Sequence, residues 1–445
     1  MSMMAIGQPV RRVEDERLLR GQGRYTDDVE ANKQARGYVL RSPHAHAEIQ
    51  AIDTTNALKE PGVLTIFTAE DLSKRGLGTL KPIMPSKRSD GSSGFVCTQP
   101  LLAQDRVRFV GEAVAFIVAE TISQAKDAAE LITVDYKPLP TVIRVDDALA
   151  PDAIAIWEEN PGNEAFTHQV GDEAAVEDAF QNAAHIIRHR VCVNRVTGNP
   201  IENRGCIAEY DPFEDRYTIR ATIQSVHAIR AILAGQIFNK PQSHFRVICD
   251  NMGGGFGTRG GCQPEYSLSL WASEVVGRPV KWIAERSEGV MTDEQGRGGL
   301  VDAELALDKN YKFLGLRTHT KVTIGAYFTS DRNIGSTITG LGGLAGVYYT
   351  PAIYARVTGV IANVMTLAQY RGGAKPEPCH IIEVMVDQAA RELGIDTAEL
   401  RRNNMIAPSD MPFRTALGYL YDCGEFAKNL DHCLALGNYD KFKTR

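Results

Sequence analysis

Phe245-Arg-Val-Ile-Cys-Asp-Asn-Met-Gly-Gly-Gly-Phe-Gly-Thr-Arg-Gly-Gly261 is the stretch that decides how this chain is read. Its first four residues make a short apolar strand, and six of the last nine are glycine. Glycine admits positive φ and lets a ligand approach the backbone, while successive N–H groups cradle an anion. A helix just beyond adds its positive end. The loop therefore suits a phosphate-bearing cofactor. Three readings stay open on the residues alone: a dinucleotide site, another anionic cofactor, or a plain surface turn. Gly255-Phe-Gly-Thr-Arg-Gly260 fits G-x-G-x-x-G, with Glu285 after the next strand as a ribose holder. Against a dinucleotide, Asp250-Asn-Met252 separates strand from glycines, and the helical pattern starts only after the third glycine.

Outward from the loop, the pattern is mixed α and β. Leu268, Trp271, Ala272 and Val275 share a helical face, with Pro264 at the start and Gly277 at the stop. Residues 280–284 read as the next strand. Upstream, Tyr217-Thr-Ile-Arg-Ala-Thr-Ile-Gln224 alternates as a strand ending on Gln224, and a helix follows with Ile229, Ile232 and Leu233 on one face. Downstream, Gln369-Tyr-Arg-Gly-Gly-Ala-Lys375 precedes a helix opened by Pro376 and closed by Gly394. Its apolar face is Ile382, Met385, Val386, Ala389 and Leu393. Asp396 and Glu399 cap one more helix.

Nearer the N-terminus, residues 19–140 read as one α/β unit. Val114-Ala-Phe-Ile-Val-Ala119 is an unbroken apolar run, expected of a strand covered on both faces. Thr121 and Gln124 form a capping box for a helix with Ile122, Ala125, Ala129 and Ile132 lining one face. Ile132, Val134 and Tyr136 alternate as the next strand, stopped by Lys137-Pro-Leu-Pro140. Residues 150–167 are less regular and read as a linker.

The 445 residues predict two or three domains, and a net charge of −6 without runs argues against nucleic acid or an acidic membrane as main partner. Residues 1–12 lack a secretory signal, and no stretch is apolar enough to span a bilayer, so the expected location is cytoplasmic. None of the eight cysteines forms a C-x-x-C pair. They are expected to be mostly reduced core residues, and any iron–sulfur centre must sit on another chain. Taken alone, Gln224 reads as a solvated strand residue, or as a neutral amide donating to a cofactor atom. Arg371 reads as a surface cation or as a bidentate phosphate grip. His44-Ala-His46 shows no third ligand nearby and reads as structural.

Several spaced motifs then agree in order. Arg41-Ser-Pro-His-Ala-His-Ala47, Val110-Gly-Glu112, Gln124-Ala-Lys-Asp-Ala-Ala-Glu130 and Val134-Asp-Tyr-Lys-Pro-Leu139 resemble the hammerhead domain of the xanthine oxidase and aldehyde oxidase family. Gly253-Gly-Gly-Phe-Gly257, Gly277-Arg-Pro-Val-Lys-Trp282, Tyr370-Arg-Gly372, Pro376-Glu377 and Glu399-Leu-Arg-Arg-Asn403 resemble the first molybdopterin domain of its large subunits. The likeness runs from Arg20-Gly-Gln-Gly-Arg-Tyr25 to Tyr421-Asp422 and displaces the dinucleotide reading.

The resemblance implies an α+β (mixed α/β) chain: an arm at 1–18, a hammerhead domain at 19–145, a linker at 146–170 and the first molybdopterin-binding domain at 171–445, with the second absent. It implies a molybdenum–molybdopterin cofactor, with or without an added cytosine dinucleotide, contacted by Gln224, Gly254, Gly255, Phe256, Gly257, Tyr370 and Arg371. The metal is held through the pterin, with no direct ligand here. The reaction implied is oxidation of an aldehyde or N-heteroaromatic ring with oxygen from water. Its general base is a glutamate in a Gly-x-Gly-Glu loop that nothing here matches, so no catalytic residue is expected on this chain and it should be inactive alone. Implied partners are a chain carrying that glutamate, an iron–sulfur subunit and an FAD subunit. An inactive fragment, or a nicotinamide-dependent dehydrogenase, is the alternative. Purine-oxidising relatives carry an acidic residue where Gly260-Gly261 stands, which argues against xanthine. Carbon monoxide dehydrogenases carry a copper-holding cysteine where Gly372 stands. Ile223 and Gln369 also depart from the family's small residues at those positions.

Overall fold

Residues 7–442 are described in the computed structural model; the first six residues of the expected arm lie outside the described residues. The fold is mixed α/β, built on three main sheets. The largest has seven strands, in the order Phe245–Ile248, Arg216–Ala221, Gly205–Asp211, Val280–Ile283, Ala35–Arg41, Ala113–Ala119, Val63–Phe67. Three of these come from the N-terminal unit and four from around the glycine loop. They join where Ala35 and Arg36 pair in parallel with Val280 and Lys281. The hammerhead unit and the glycine-loop region thus share one sheet.

The unbroken apolar run in Ala113–Ala119 has a direct cause. All seven residues are buried. Ala115, Ile117 and Ala119 pack with Ala125, Ala128 and Ala129 of the helix Ile122–Glu130, while Phe116 and Val118 face the core that holds Trp271 and Trp282. Both faces are covered, so the two-residue polar alternation disappears. The expected capping box is present, with Gln124 N–H donating to Thr121 Oγ1.

A second sheet of five strands follows the order Glu164–Gly171, Ala352–Ile361, Phe313–Gly325, Gln295–Leu307, His185–Thr197. The helix Pro376–Leu393 supplies Ile381, Ile382, Met385, Val386 and Ala389 to its core. A three-stranded sheet, Arg106–Val107, Ala47–Asp53, Thr133–Pro138, completes the hammerhead.

Four expectations need correction. The stretch read as a linker ends in the strand Glu164–Gly171, anchored by buried Ala165 and Phe166 and laddered to Ala352–Ile361; its polar Thr167, His168 and Gln169 hide it from pattern reading. The strand expected to reach Gln224 stops at Ala221, because the Gln224 N–H donates to Arg259 O instead of to a ladder partner. Val275, placed on the buried face of its helix, is 51% exposed, whereas Glu265, Ser267 and Ser269 are buried. That helix is enclosed nearly all round, so its burial does not follow one stripe. Only Cys97, Cys206 and Cys262 are core cysteines; Cys192, Cys379, Cys423 and Cys433 are exposed.

Glu112 sits fully buried at the seam between the hammerhead and the five-stranded sheet. Burial pushes its pKa up to about 7, with the neighbouring Tyr327 hydroxyl and the hydrogen bond from the Arg108 N–H (2.6 Å) pulling the other way. Its folded pKa lies above the unfolded value, so the native state holds an extra proton between about pH 4.5 and 7. Stability from this group is fully present below that window and falls by about 3 kcal/mol as pH rises through it. Glu112→Gln is expected to flatten that fall. Denaturant melts at pH 5 and pH 7.5 would show it; an unchanged difference between the two pH values contradicts it.

Candidate cofactor site

Three chain segments far apart in sequence meet at the glycine loop. Gly257 N–H donates to Gln224 Oε1 at 2.8 Å, and Arg371 N–H donates to Phe256 O at 2.8 Å. Gln224, Gly255–Gly257 and Tyr370–Arg371, each singled out separately in the sequence, are therefore neighbours. The approach is close enough to require bare backbone at two positions. A Cβ on Gly257, whose φ is +101°, would meet Gln369 O at 2.2 Å, and a Cβ on Gly255 would meet Gln224 Cδ at 2.7 Å. Phe256 takes φ +49° and is 42% exposed, with the Arg371 guanidinium 5.9 Å from the ring centre. Gly296 packs so tightly on Tyr370 that a Cβ there would lie 2.1 Å from the tyrosine's own.

The chemistry of the site is one of unspent donors. Among the described residues, the N–H groups of Gly254, Gly255 and Phe256 have no acceptor. Arg371 has neither a carboxylate nor a carbonyl partner for its guanidinium, while its own carbonyl accepts from Arg297 Nη2 at 2.7 Å. With Gln224 Oε1 engaged by Gly257, that side chain offers its NH2 end. Gly255 is buried, whereas Gly254, Phe256 and Arg371 reach solvent, so these donors are open to an incoming acceptor. Three backbone N–H groups, an amide NH2 and a guanidinium match an anionic, acceptor-rich ligand.

Beneath the loop lies a group of residues that sequence reading missed as functional. Arg41 Nη2 contacts Glu265 at 2.6 Å, and Arg41 Nε donates to Glu288 at 2.6 Å. Arg204 contacts Glu265 at 3.2 Å and Asp293 at 2.7 Å, the latter at an angle that makes it an ion pair rather than a hydrogen bond. Arg259, within the glycine loop, contacts Asp293 at 2.9 Å. Three cations and three carboxylates thus balance in a nearly water-free space and tie the hammerhead strand to the loop. Glu265 is pushed up by burial, but Arg204 and Arg41 outweigh that and hold its pKa below the ordinary carboxylate range. Arg332 adds a brace, donating to Gly257 O and pairing with Glu294 at 2.5 Å.

Other candidates fall away. Glu285, the residue a dinucleotide reading would use for ribose, caps the helix Arg286–Thr292 and pairs with Lys126. His46 is 4% exposed with Nδ1 against Pro140 O at 2.8 Å, and His44 packs edge-on to Tyr136. Among the described residues no cluster of three potential metal ligands exists, and no helix is long and apolar enough to cross a membrane.

Fold and site together present a donor-lined surface between a glycine loop and a second loop behind it, chemistry that suits an anionic cofactor. Comparison with known proteins gives the chain its family. The family described as the molybdopterin cofactor-binding domain matches residues 156–405, and the aldehyde oxidase and xanthine dehydrogenase a/b hammerhead domain matches residues 20–140. Subunit gamma of the 6-hydroxypseudooxynicotine dehydrogenase complex of Paenarthrobacter nicotinovorans is 32% identical over 98% of this chain and 55% of its own length. The carbon monoxide dehydrogenase large chain of Hydrogenophaga pseudoflava is 33% identical over 97% of this chain and 54% of its own. Among solved structures, quinoline 2-oxidoreductase from Pseudomonas putida 86 superposes with a TM-score of 0.89 at 31% identity, over 98% of this chain and 55% of that one. The chain belongs to the xanthine dehydrogenase and aldehyde oxidase family of molybdopterin-binding proteins. It spans about half the length of the relatives it matches.

Proposed function

We propose that this chain forms the cofactor-holding half of a molybdenum hydroxylase site that oxidises an aldehyde or an N-heteroaromatic ring, with oxygen drawn from water. The observation that carries the reading is the donor-only cradle: Gly254, Gly255 and Phe256 N–H, the Gln224 amide and the Arg371 guanidinium. The residues fit a molybdopterin. The glycine-loop N–H groups and Arg371 would hold its anionic and acceptor atoms, and Gln224 would donate a hydrogen bond without adding charge. When bound, the cofactor supplies the two-electron redox chemistry; the protein supplies orientation and exclusion of water.

The domains proposed are a hammerhead over 19–145, a connection from 146 up to the strand Glu164–Gly171, and a molybdopterin-binding domain that includes this strand and continues beyond 171. No Gly-x-Gly-Glu occurs in these 445 residues. The general base is therefore proposed to come from polypeptide outside them, with iron–sulfur and FAD chains carrying the electrons away, and these residues alone are proposed to be inactive. Gly372 sits at φ +111°, where a Cβ would meet Pro376 Cγ at 2.4 Å. A thiolate has no room at that position, which favours a copper-free site. The test is turnover of aldehydes and N-heteroaromatics by the native complex in 18O-labelled water. Label in the product from water and none from labelled O2 is expected; label from O2, or no oxidation of either class, contradicts the reading.

A further inference from the structure

Arg195 is charged and part-buried, and among the described residues it has no counter-ion. It lies on the strand His185–Thr197, which runs toward both cofactor loops: a Cβ on Gly198 would lie 3.0 Å from Thr258 and 3.5 Å from the Tyr370 ring. Every hydrogen bond it makes goes to a neutral acceptor. Nε donates to Gln295 Oε1 at 2.8 Å, Nη1 to Thr323 O at 2.7 Å and Thr323 Oγ1 at 2.9 Å, and Nη2 to Met365 O. The residue keeps some surface, but desolvation pushes its pKa down to about 10, with no carboxylate opposing that fall. Glu294, next in sequence to its partner Gln295, pairs with Arg332, and Asp146, which lines the same cleft as Arg195, pairs with Arg190 at 3.5 Å.

A buried cation normally needs a partner, because removal from water costs several kcal/mol even after relaxation. Elsewhere beneath this site the protein meets that need in full, with three arginines against three carboxylates. Arg195 is the exception, and its contacts lead to the second cofactor loop. Gln295 O accepts from Ala368 N–H at 2.7 Å, and Gln295 N–H donates to Thr366 O at 3.1 Å. One residue on, Gly296 packs against Tyr370; two on, Arg297 donates to Arg371 O.

We propose that Arg195 is a positioning residue for the Tyr370–Arg371 loop, and that its positive charge, left unmatched by any carboxylate among the described residues, is balanced by the anionic cofactor when it binds. The inference rests on the molybdopterin reading given above. The cofactor's charge removes the cost of the lone cation, so part of the binding free energy is stored in the empty protein. This is charge complementarity acting from behind the loop, without direct contact.

Gln295→Glu tests it. The substitution is isosteric and keeps the acceptor on Arg195 Nε, but it adds a carboxylate 2.8 Å away and cancels the charge. Arg195→Lys is its counterpart, keeping the charge and losing the forked hydrogen bonds. Each is made in the native complex purified through this chain. Molybdenum per complex is measured, together with the melting temperature of complex from cells able and unable to make molybdopterin. Expected for Gln295→Glu is an empty protein at least as stable as wild type. It should retain about tenfold less molybdenum, ~1.4 kcal/mol in affinity, and show a smaller melting increment on loading. Arg195→Lys should keep more metal than Gln295→Glu. Wild-type metal content in Gln295→Glu, or a greater loss in Arg195→Lys, would overturn the proposal and leave Arg195 a structural clamp. Wild-type complex without molybdenum would instead refute the cofactor reading itself.

Discussion

Gly257→Ala is expected to lose the cofactor almost completely. A methyl at this position, with φ +101°, meets Gln369 O at 2.2 Å, and the clashing atom is backbone. The left-handed conformation alone costs about 1–3 kcal/mol for a residue with a Cβ. Relief of the clash must part the glycine loop from the Gln369–Arg371 segment, breaking the 2.8 Å bonds from Gly257 to Gln224 and from Arg371 to Phe256. Those bonds set the spacing of the unpaired donors. Molybdenum content should therefore fall by more than the roughly tenfold that each 1.4 kcal/mol implies. Gly277→Ala is the control. Gly277 has φ +67° but open space around it, and it ends the helix Pro264–Val276. That variant should lower the melting temperature, by about 1 kcal/mol of left-handed strain, and leave metal content unchanged. Equal metal content in Gly257→Ala and wild type would show that the loop junction does not hold the cofactor.

Asp293→Asn is expected to destabilise the empty protein by about 3–5 kcal/mol, the range for removing one member of a buried charge group. Asp293 is 1% exposed and faces Arg204 at 2.7 Å and Arg259 at 2.9 Å. An amide of the same shape leaves two guanidinium groups facing each other with one fewer anion between them. The effect should spread in two directions, since Arg204 shares Glu265 with Arg41 of the hammerhead strand and Arg259 belongs to the glycine loop. Urea melts of the empty chain measure it. A loss below about 1 kcal/mol would mean that water reaches the network and screens it, as at exposed pairs.

Much of the candidate cofactor site was legible one residue at a time. The glycine loop is visible because only glycine serves a close backbone approach, and Gln224 and Arg371 because their side-chain chemistry suits a ligand of acceptors. Their convergence was not legible, since no local pattern links positions 224, 257 and 371; it depends on strands from separate regions entering two sheets. The family motifs carried that step. The charge network was hidden for a different reason. Arg41, Arg204, Glu265 and Glu288 each look like solvated polar residues, and Glu265 occupies the first turn of a helix whose apolar stripe draws attention elsewhere. Burial of a helix on all sides, like the apolar run of Ala113–Ala119 between two cores, is a tertiary outcome. Arg195 was likewise invisible, because a missing counter-ion can be recognised only once the neighbours are known.

The most direct test is metal analysis of the native complex isolated through this chain, with the co-purifying polypeptides identified by mass spectrometry. The account predicts molybdenum near one per complex, together with iron and a Gly-x-Gly-Glu segment within the isolated material. A pure, folded chain carrying neither molybdenum nor pterin would contradict it.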